Sequence, residues 1–205
     1  MANARVSGEH GRVPRICVFT GSSAGRRASY ESAAVALGQA LVRRGFELVY
    51  GGARVGLMGA VADSVLASGG LVTGVIPQAL VDREVAHTGL SQLHVVSSMH
   101  ERKALMADLS DGFVALPGGW GTLEELFEVL TWAQLGLHRK PCGLLNVDGY
   151  FDPLLTFLQH AVTEGFVKAE FERMLPVEAS ADTLLDRFAA YEPPQLRKWI
   201  DRASS

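Results

Sequence analysis

Residues 112–125 read Gly-Phe-Val-Ala-Leu-Pro-Gly-Gly-Trp-Gly-Thr-Leu-Glu-Glu, an apolar run followed by a glycine turn and the start of a helical pattern. A buried strand, a turn and a helix in this order are typical of an α/β fold. Glycines allow the backbone to approach a bound group closely, and the first turn of a helix offers unpaired N–H donors. Because these donors favour negative charge, the stretch predicts a phosphate site.

The spacing of this turn matches neither the dinucleotide motif G-x-G-x-x-G nor the Walker loop, which requires Lys and then Ser or Thr. Its distinguishing feature is the pair Glu124 and Glu125 near the helix start, since a phosphate cradle alone gains nothing from carboxylates. One interpretation is a reaction that needs a carboxylate. The other is a capping box, in which Thr122 and Glu125 satisfy the first helical N–H groups. The sequence leaves both interpretations open.

The same plan occurs twice earlier in the chain. An apolar run at residues 15–20 ends at Gly21 and Ser22, and a second run at 47–50 ends at Gly51 and Gly52. Each turn is followed by a helical pattern, and parallel strands need such crossovers. We therefore predict a Rossmann-like, doubly wound, mostly parallel α/β sheet with helices on both faces. Ligands in such folds bind beyond the carboxyl ends of the strands, where all three glycine turns would lie.

Hydrophobic periodicity gives the expected elements and boundaries. Strands are expected at residues 15–20, 47–50, 71–76, 93–96, 112–116, 142–147 and, as an edge strand, 175–177; helices are expected at 30–44, 57–67, 99–108, 122–137, 151–163 and 182–191. Residues 77–92 lack a clear period and are expected to form an irregular connection or a short helix. One domain over residues 15–192 would lie between tails at 1–14 and 193–205.

Arg102 occupies an unusual position in its predicted helix. At about 100° per residue, Met99, Leu105, Met106 and Leu109 share one arc, and Arg102 lies in the middle of it. A guanidinium directed at a covered face needs an anionic partner, because burying it unpaired is costly. We expect a carboxylate or a ligand phosphate there. The alternative is that Arg102 extends past a short apolar patch to solvent. Lys103, beside this arc, is expected to point to solvent and is a weaker candidate for ligand contact.

Composition excludes several classes of protein. The 205 residues include 19 basic and 22 acidic side chains, for a net charge of −3, so there is no electrostatic footprint for nucleic acid or an anionic membrane. Cys17 and Cys142 lie in apolar runs without metal-ligand spacing, and we expect buried free thiols and no metal. No stretch has the pattern of a signal peptide or a membrane span, so a soluble, cytoplasmic protein is expected.

Two motifs together resemble the LOG ("lonely guy") family of cytokinin-activating enzymes, long labelled possible lysine decarboxylases: residues 99–103, Met-His-Glu-Arg-Lys, and residues 117–125. The resemblance implies hydrolysis of the N-glycosidic bond of cytokinin riboside 5′-monophosphates, without a cofactor, by Arg102 and Glu125. Gly21, Ser22, Gly51 and Gly52 resemble the family's first two glycine turns. The implied nucleotide contacts are Glu84, Arg102, Lys103, Gly118, Gly119, Trp120, Gly121, Thr122, Leu123, Glu124 and Thr131.

The sequence departs from the commoner family pattern at Ala53, where a third glycine is usual, and at Trp120, where a smaller residue or tyrosine is frequent. Alternatives are therefore a broader hydrolase acting on AMP-like nucleotides and a non-catalytic nucleotide-binding module. Retention of both Arg102 and Glu125 favours an enzyme, because a sensor needs no carboxylate at the sugar. Lysine decarboxylation has no support, since no lysine is marked for a pyridoxal phosphate Schiff base.

The helix that follows the glycine turn is apolar around most of its circumference, with nine apolar residues between 123 and 137. One sheet cannot cover such a helix. We expect part of it to pack against its copy in a homodimer or higher homo-oligomer. This agrees with the family resemblance, which implies a dimer. The alternative is burial under the chain's own C-terminal helices.

Overall fold

The computed structural model describes residues 12–83, 85–172 and 174–193. The strands are β1 (Arg15–Phe19), β2 (Glu47–Tyr50), β3 (Val72–Pro77), β4 (Gln92–Val96), β5 (Gly112–Ala115), β6 (Cys142–Leu145) and β7 (Val177–Glu178). The helices are α1 (Ala28–Arg43), α2 (Gly56–Ala67), α3 (Gln78–Val81), α4 (Met99–Leu109), α5 (Trp120–Gln134), α6 (Asp152–Thr163), α7 (Ala169–Glu172) and α8 (Ala181–Ala189).

The strands form one sheet in the order β4-β3-β2-β1-β5-β6-β7, and each pair in it is parallel. This confirms the predicted doubly wound fold. Strands β2 to β4 extend the sheet on one side of β1, and β5 to β7 extend it on the other side. The strand order therefore reverses between β1 and β5, where Cys17 is in register with Phe113. Such a reversal opens a crevice at the carboxyl ends of the two strands. The glycine turns after β1 and β5 flank that crevice.

Strand residues alternate between two cores, which explains why the central strands are apolar throughout. Ile16 and Val18 pack with α1, α2 and α8 on one face of the sheet. Cys17 and Phe19 pack with residues of α4 and α5 on the other face. Both cysteines are buried and free, as expected. The helices that carry Arg102 and Glu125 therefore lie side by side on the same face.

Of the two interpretations of Thr122 and Glu125, the structure does not support the capping box. Helix α5 begins at Trp120, two residues earlier than expected, and its N-cap is Gly119, which makes no side-chain cap hydrogen bond. Glu124 and Glu125 therefore lie beyond the first turn. A side-chain cap occurs instead on α4, where the Ser98 hydroxyl accepts a hydrogen bond from the Glu101 N–H at 3.1 Å. Ser98 and Glu101 have the same spacing as Thr122 and Glu125, which is the spacing of a capping box.

Other boundaries shift by a few residues. The connection at 77–92 starts with the short helix α3, and the edge strand β7 begins at Val177 rather than at 175. Most of the two predicted tails lies outside the described residues. Within the ranges that the structure describes, no helix is long and apolar enough to cross a membrane.

Candidate active site

Three loops meet at the carboxyl edge of the sheet and are joined by backbone hydrogen bonds. The N–H of Gly21, after β1, donates to the carbonyl of Pro117, after β5, at 3.1 Å. The Thr20 hydroxyl donates to the same carbonyl at 3.2 Å. The N–H of Leu57, at the start of α2, donates to the Gly21 carbonyl at 3.1 Å. The loops therefore form one connected floor for the crevice.

Two glycines of this floor are required by close approach between the loops. A Cβ on Gly118 would lie 2.1 Å from the Thr122 hydroxyl and 2.8 Å from the Gly21 nitrogen. Gly56 has a φ of +56°, and a Cβ there would lie 2.4 Å from the Ser22 backbone. In contrast, an added Cβ on Gly119 would meet nothing within 4 Å. Gly118 is thus needed for the loops to pack closely, whereas the space beside Gly119 is free of protein atoms.

The start of α5 carries the accessible donors that a phosphate would need. The Gly119 carbonyl accepts the first helical hydrogen bond, from Leu123 N–H at 3.1 Å. The N–H groups of Trp120 and Gly121 precede that bond and have no partner within the helix. Both residues are exposed, Trp120 to 91%. The helix start therefore presents positive partial charge to the crevice, as the sequence predicted.

Arg102 is buried, which confirms that its side chain points to the covered face of α4. Its Nε donates to the Val75 carbonyl of β3 at 3.1 Å. Its Nη2 donates to the Gly51 carbonyl, just after β2, at 3.4 Å. A Cβ on Gly51 would lie 1.8 Å from Nη2. The glycine after β2 is therefore the residue that makes room for the guanidinium at the sheet edge.

Glu125 provides the anionic partner that the position of Arg102 requires. Its Oε1 lies 3.5 Å from Arg102 Nη1, and the two side chains are only 11% and 9% exposed. Burial raises the pKa of Glu125 to about 7, although the charge of Arg102 opposes this shift. A carboxyl with a pKa near neutrality can both hold and release a proton at physiological pH. The pair thus combines a fixed cation with a titratable group.

Lys103 was expected to point to solvent or to contact the ligand weakly, but its side chain is only 9% exposed. The ammonium lies between α4 and α5, in an ion pair with Glu124 and at 3.0 Å from Glu128. The sequence interpretation treated Lys103 as a helix-surface residue, and this part of it is wrong. The physical reason is that α5 supplies two carboxylates that neutralise the ammonium as it is buried.

Two of the predicted contacts are not placed with the others. Thr131 lies 11 residues beyond Trp120 on α5, about 16 Å along the axis, and its hydroxyl donates to the Phe127 carbonyl at 2.7 Å. Glu84 lies outside the described residues. The residues after it are attached to the loop that follows β2, because the N–H of His87 donates to the Gly52 carbonyl at 2.9 Å.

The remaining predicted residues line the same edge of the sheet. Ser22 is exposed beside the floor of the crevice, Gly51 and Gly52 are buried after β2, and Leu123 is half-buried on α5. Gly52 has a φ of +75°, a conformation that favours glycine. The structure therefore brings the glycine turns, Arg102 and Glu125 together.

Sequence reasoning missed Tyr150, which contacts the glycine turn from a fourth loop. Its hydroxyl donates to the Gly118 carbonyl at 2.5 Å. The turn-forming residues Asn146, Asp148 and Gly149 end strand β6, which pairs with β5. The rule that places loops at one edge of a parallel sheet could have identified this loop, but not which of its side chains reaches the site.

Acidic, histidine and cysteine side chains nowhere form a cluster suited to a metal ion in the part of the chain that is described. The groups that the site offers for chemistry are the Glu125 carboxylate, the Arg102 guanidinium and the backbone donors at the start of α5.

The chain is similar to known proteins over most of its length. Residues 58–188 match the family described as possible lysine decarboxylase. The chain is 53% identical, over 93% of its length and 85% of the relative, to the probable cytokinin riboside 5′-monophosphate phosphoribohydrolase LOGL1 of Oryza sativa subsp. japonica. It is 53% identical, over 89% of its length and 84% of the relative, to the cytokinin riboside 5′-monophosphate phosphoribohydrolase LOG7 of Arabidopsis thaliana.

Solved structures with the same fold are more distant in sequence. The molybdenum cofactor binding protein of Rippkaea orientalis is 22% identical with a TM-score of 0.67, covering 87% of this chain and 97% of that chain. The molybdenum cofactor carrier protein of Chlamydomonas reinhardtii is 20% identical with a TM-score of 0.65, covering 88% of this chain and 100% of that chain. At these identities the likeness concerns the fold alone.

Proposed function

This chain belongs to the LOG family of phosphoribohydrolases, and we propose that it hydrolyses the N-glycosidic bond of cytokinin riboside 5′-monophosphates, giving the free base and ribose 5-phosphate. The observation that carries this proposal is the buried pair of Arg102 and Glu125, 3.5 Å apart, beside the open start of α5. A carboxylate with a pKa of about 7 next to a phosphate-binding helix start suits cleavage at the sugar of a nucleotide.

The 5′-phosphate binds at the start of α5. The exposed residues Gly119, Trp120 and Gly121 lie there, with the exposed Ser22 on the opposite loop. Charge-assisted hydrogen bonds from backbone N–H groups to phosphate oxygens are short and strong. Anchoring the phosphate fixes the ribose over the crevice, so that C1′ is held near Glu125 for the chemical step.

Glu125 acts on the water and on the sugar. Breaking the C1′–nitrogen bond builds oxocarbenium-like positive charge on the ribose, which an ionised carboxylate stabilises. Glu125 accepts a proton from the water whose oxygen bonds to C1′, while the electron pair of the broken bond leaves with the base. The base takes up one proton overall, so that water is divided between the two products.

Arg102 holds Glu125 rather than clamping the phosphate. Two of its nitrogens already donate to the carbonyls of Val75 and Gly51, and the third faces Glu125. The guanidinium is thus fixed to the sheet edge and limits how far burial raises the pKa of the carboxyl. It keeps a useful fraction of Glu125 ionised at neutral pH.

The protein acts as a homodimer. Between α5 and α6 lies an open groove of about 890 Å³ whose lining is mostly apolar, including Phe127, Leu130, Leu155 and Leu158. Among the described residues this groove leaves part of the apolar face of α5 open, which supports a second copy of the chain as its cover. Light scattering at micromolar concentration tests this, since a monomeric mass would contradict it.

The test of the activity is to incubate the protein with isopentenyladenosine 5′-monophosphate and with AMP and to follow free base and ribose 5-phosphate by chromatography. We expect both products in equal amounts, with kcat/KM higher for the isopentenyl nucleotide. Equal kcat/KM for AMP would instead indicate a broader nucleosidase. Thermal stabilisation by the nucleotides without base release would indicate a binding module, and release of CO2 from lysine would contradict the proposed chemistry.

A further inference from the structure

We propose that Tyr150 is a positioning residue that sets the orientation of the phosphate-binding backbone at Gly118 and Gly119. The inference rests on the proposed function, because it assigns Tyr150 a role in binding the 5′-phosphate of the substrate. Tyr150 does not touch the substrate itself. It acts through one peptide group of the glycine turn.

The hydrogen bond from Tyr150 orients the Gly118 carbonyl that accepts it and, through the same peptide group, the N–H of Gly119. The Tyr150 hydroxyl donates to the Gly118 carbonyl at 2.5 Å, and the peptide that joins Gly118 to Gly119 is trans. In a planar trans peptide the carbonyl and the following N–H point in opposite directions. Holding the Gly118 carbonyl toward Tyr150 therefore directs the Gly119 N–H away from it.

The Gly119 N–H is available to a ligand. Among the described residues it donates to no protein group, Gly119 is exposed, and nothing would lie within 4 Å of an added Cβ. It adjoins the unpaired N–H groups of the first turn of α5. Because glycine has many accessible backbone conformations, this peptide would rotate readily without an external contact. Tyr150 supplies that contact.

The Tyr150 ring is held by one neighbour on α1 and by Phe151, the residue just before α6. It packs edge-on against Tyr30 of α1, with ring centroids 5.7 Å apart, and against Phe151, at 5.0 Å. The turn before it is fixed by Asn146, whose side-chain carbonyl accepts from the Phe151 N–H at 2.8 Å. It is also fixed by Asp148, which accepts from the Ser29 hydroxyl at 2.6 Å. The hydroxyl is thus presented to Gly118 from a rigid support.

A merely structural role for Tyr150 would depend on its ring and not on its hydroxyl. The variant Tyr150→Phe keeps the ring contacts and removes only the hydrogen bond to Gly118. The matched control is Tyr30→Phe, which removes a hydroxyl from the adjoining ring of the same aromatic contact. The two variants therefore separate loss of the Gly118 bond from loss of a tyrosine hydroxyl in this cluster.

The experiment measures two dissociation constants by calorimetry for wild type, Tyr150→Phe and Tyr30→Phe: one for ribose 5-phosphate and one for isopentenyladenine. For Tyr150→Phe we expect about three- to tenfold weaker binding of ribose 5-phosphate, the range for one hydrogen bond, with binding of the base unchanged. Tyr30→Phe should bind both ligands as wild type does. The ratio of the two constants remains informative if the variant is less stable.

Three results would overturn the inference: unchanged affinity of Tyr150→Phe for ribose 5-phosphate, equal weakening for both ligands, or the same selective loss in Tyr30→Phe. These measurements do not depend on turnover. If wild type binds ribose 5-phosphate but releases no base from any nucleotide, the proposed activity fails while the role of Tyr150 is still decided.

Discussion

Arg102 on α4 and Glu125 on α5 lie 3.5 Å apart, Nη1 to Oε1, on one face of the sheet. The guanidinium is bound at the same time to the carbonyls of Val75 and Gly51. The carboxylate is consequently positioned relative to the ends of β2 and β3, not only relative to its own helix. This arrangement places a group with a pKa of about 7 at the sheet edge where α5 begins.

The first prediction concerns pH. Burial raises the pKa of Glu125 to about 7, and the reaction needs the ionised carboxylate, so activity must rise with pH through this value. Below pH 7 we expect kcat/KM to fall about tenfold per pH unit. A pH–rate profile of the free enzyme with isopentenyladenosine 5′-monophosphate measures this. A profile that is flat between pH 5 and 8 would contradict the assignment.

The second prediction uses the charges around Glu125. Glu124 raises the pKa of Glu125 and Lys103 lowers it. Removing the charge of Glu124 should therefore move the acidic limb of the pH–rate profile one way, and removing the charge of Lys103 should move it the other way. We expect Glu124→Gln to shift the limb of kcat/KM to lower pH and Lys103→Met to shift it to higher pH. Shifts of the same sign in both variants would mean that the limb reports another group.

The third prediction concerns Gly51. A Cβ at this position would lie 1.8 Å from Arg102 Nη2, so Gly51→Ala must displace the guanidinium from the sheet edge. We expect kcat/KM to fall by about tenfold or more, because small misplacements at a reacting centre are costly. The measurement is a double-mutant cycle with Arg102→Ala. If Gly51 acts through Arg102, Gly51→Ala will have little further effect in the Arg102→Ala background, whereas additive losses would contradict this.

Much of the fold follows from sequence because its physical causes are local. Strand β1 is apolar at consecutive positions since both faces of a parallel sheet are covered. The glycine turns after β1, β2 and β5 could be assigned to one edge because parallel strands end on the same side. The inward direction of Arg102 followed from helical periodicity alone, and the structure confirms it.

Other features depend on contacts between distant segments and could not be predicted. The sequence predicted an anionic partner for Arg102. It did not identify Glu125 as that partner, because Glu125 is 23 residues away on another helix. The burial of Lys103 depends on α5 packing beside α4. The bond from Tyr150 to Gly118 spans two loops. The sequence could not decide between a capping box and a chemical role for Glu125, because the Thr-x-x-Glu spacing does not reveal that the helix already starts at Gly119 and Trp120.

The most direct test of the central claim, that Glu125 performs chemistry, is the rate of base release by Glu125→Gln, with melting temperature measured in parallel. The matched control is Glu128→Gln, one turn further along α5, where Glu128 pairs with Lys103. We predict a loss of at least about a hundredfold in kcat for Glu125→Gln, a much smaller change for Glu128→Gln, and intact folding of both. A Glu125→Gln protein that releases base at the wild-type rate would contradict the account.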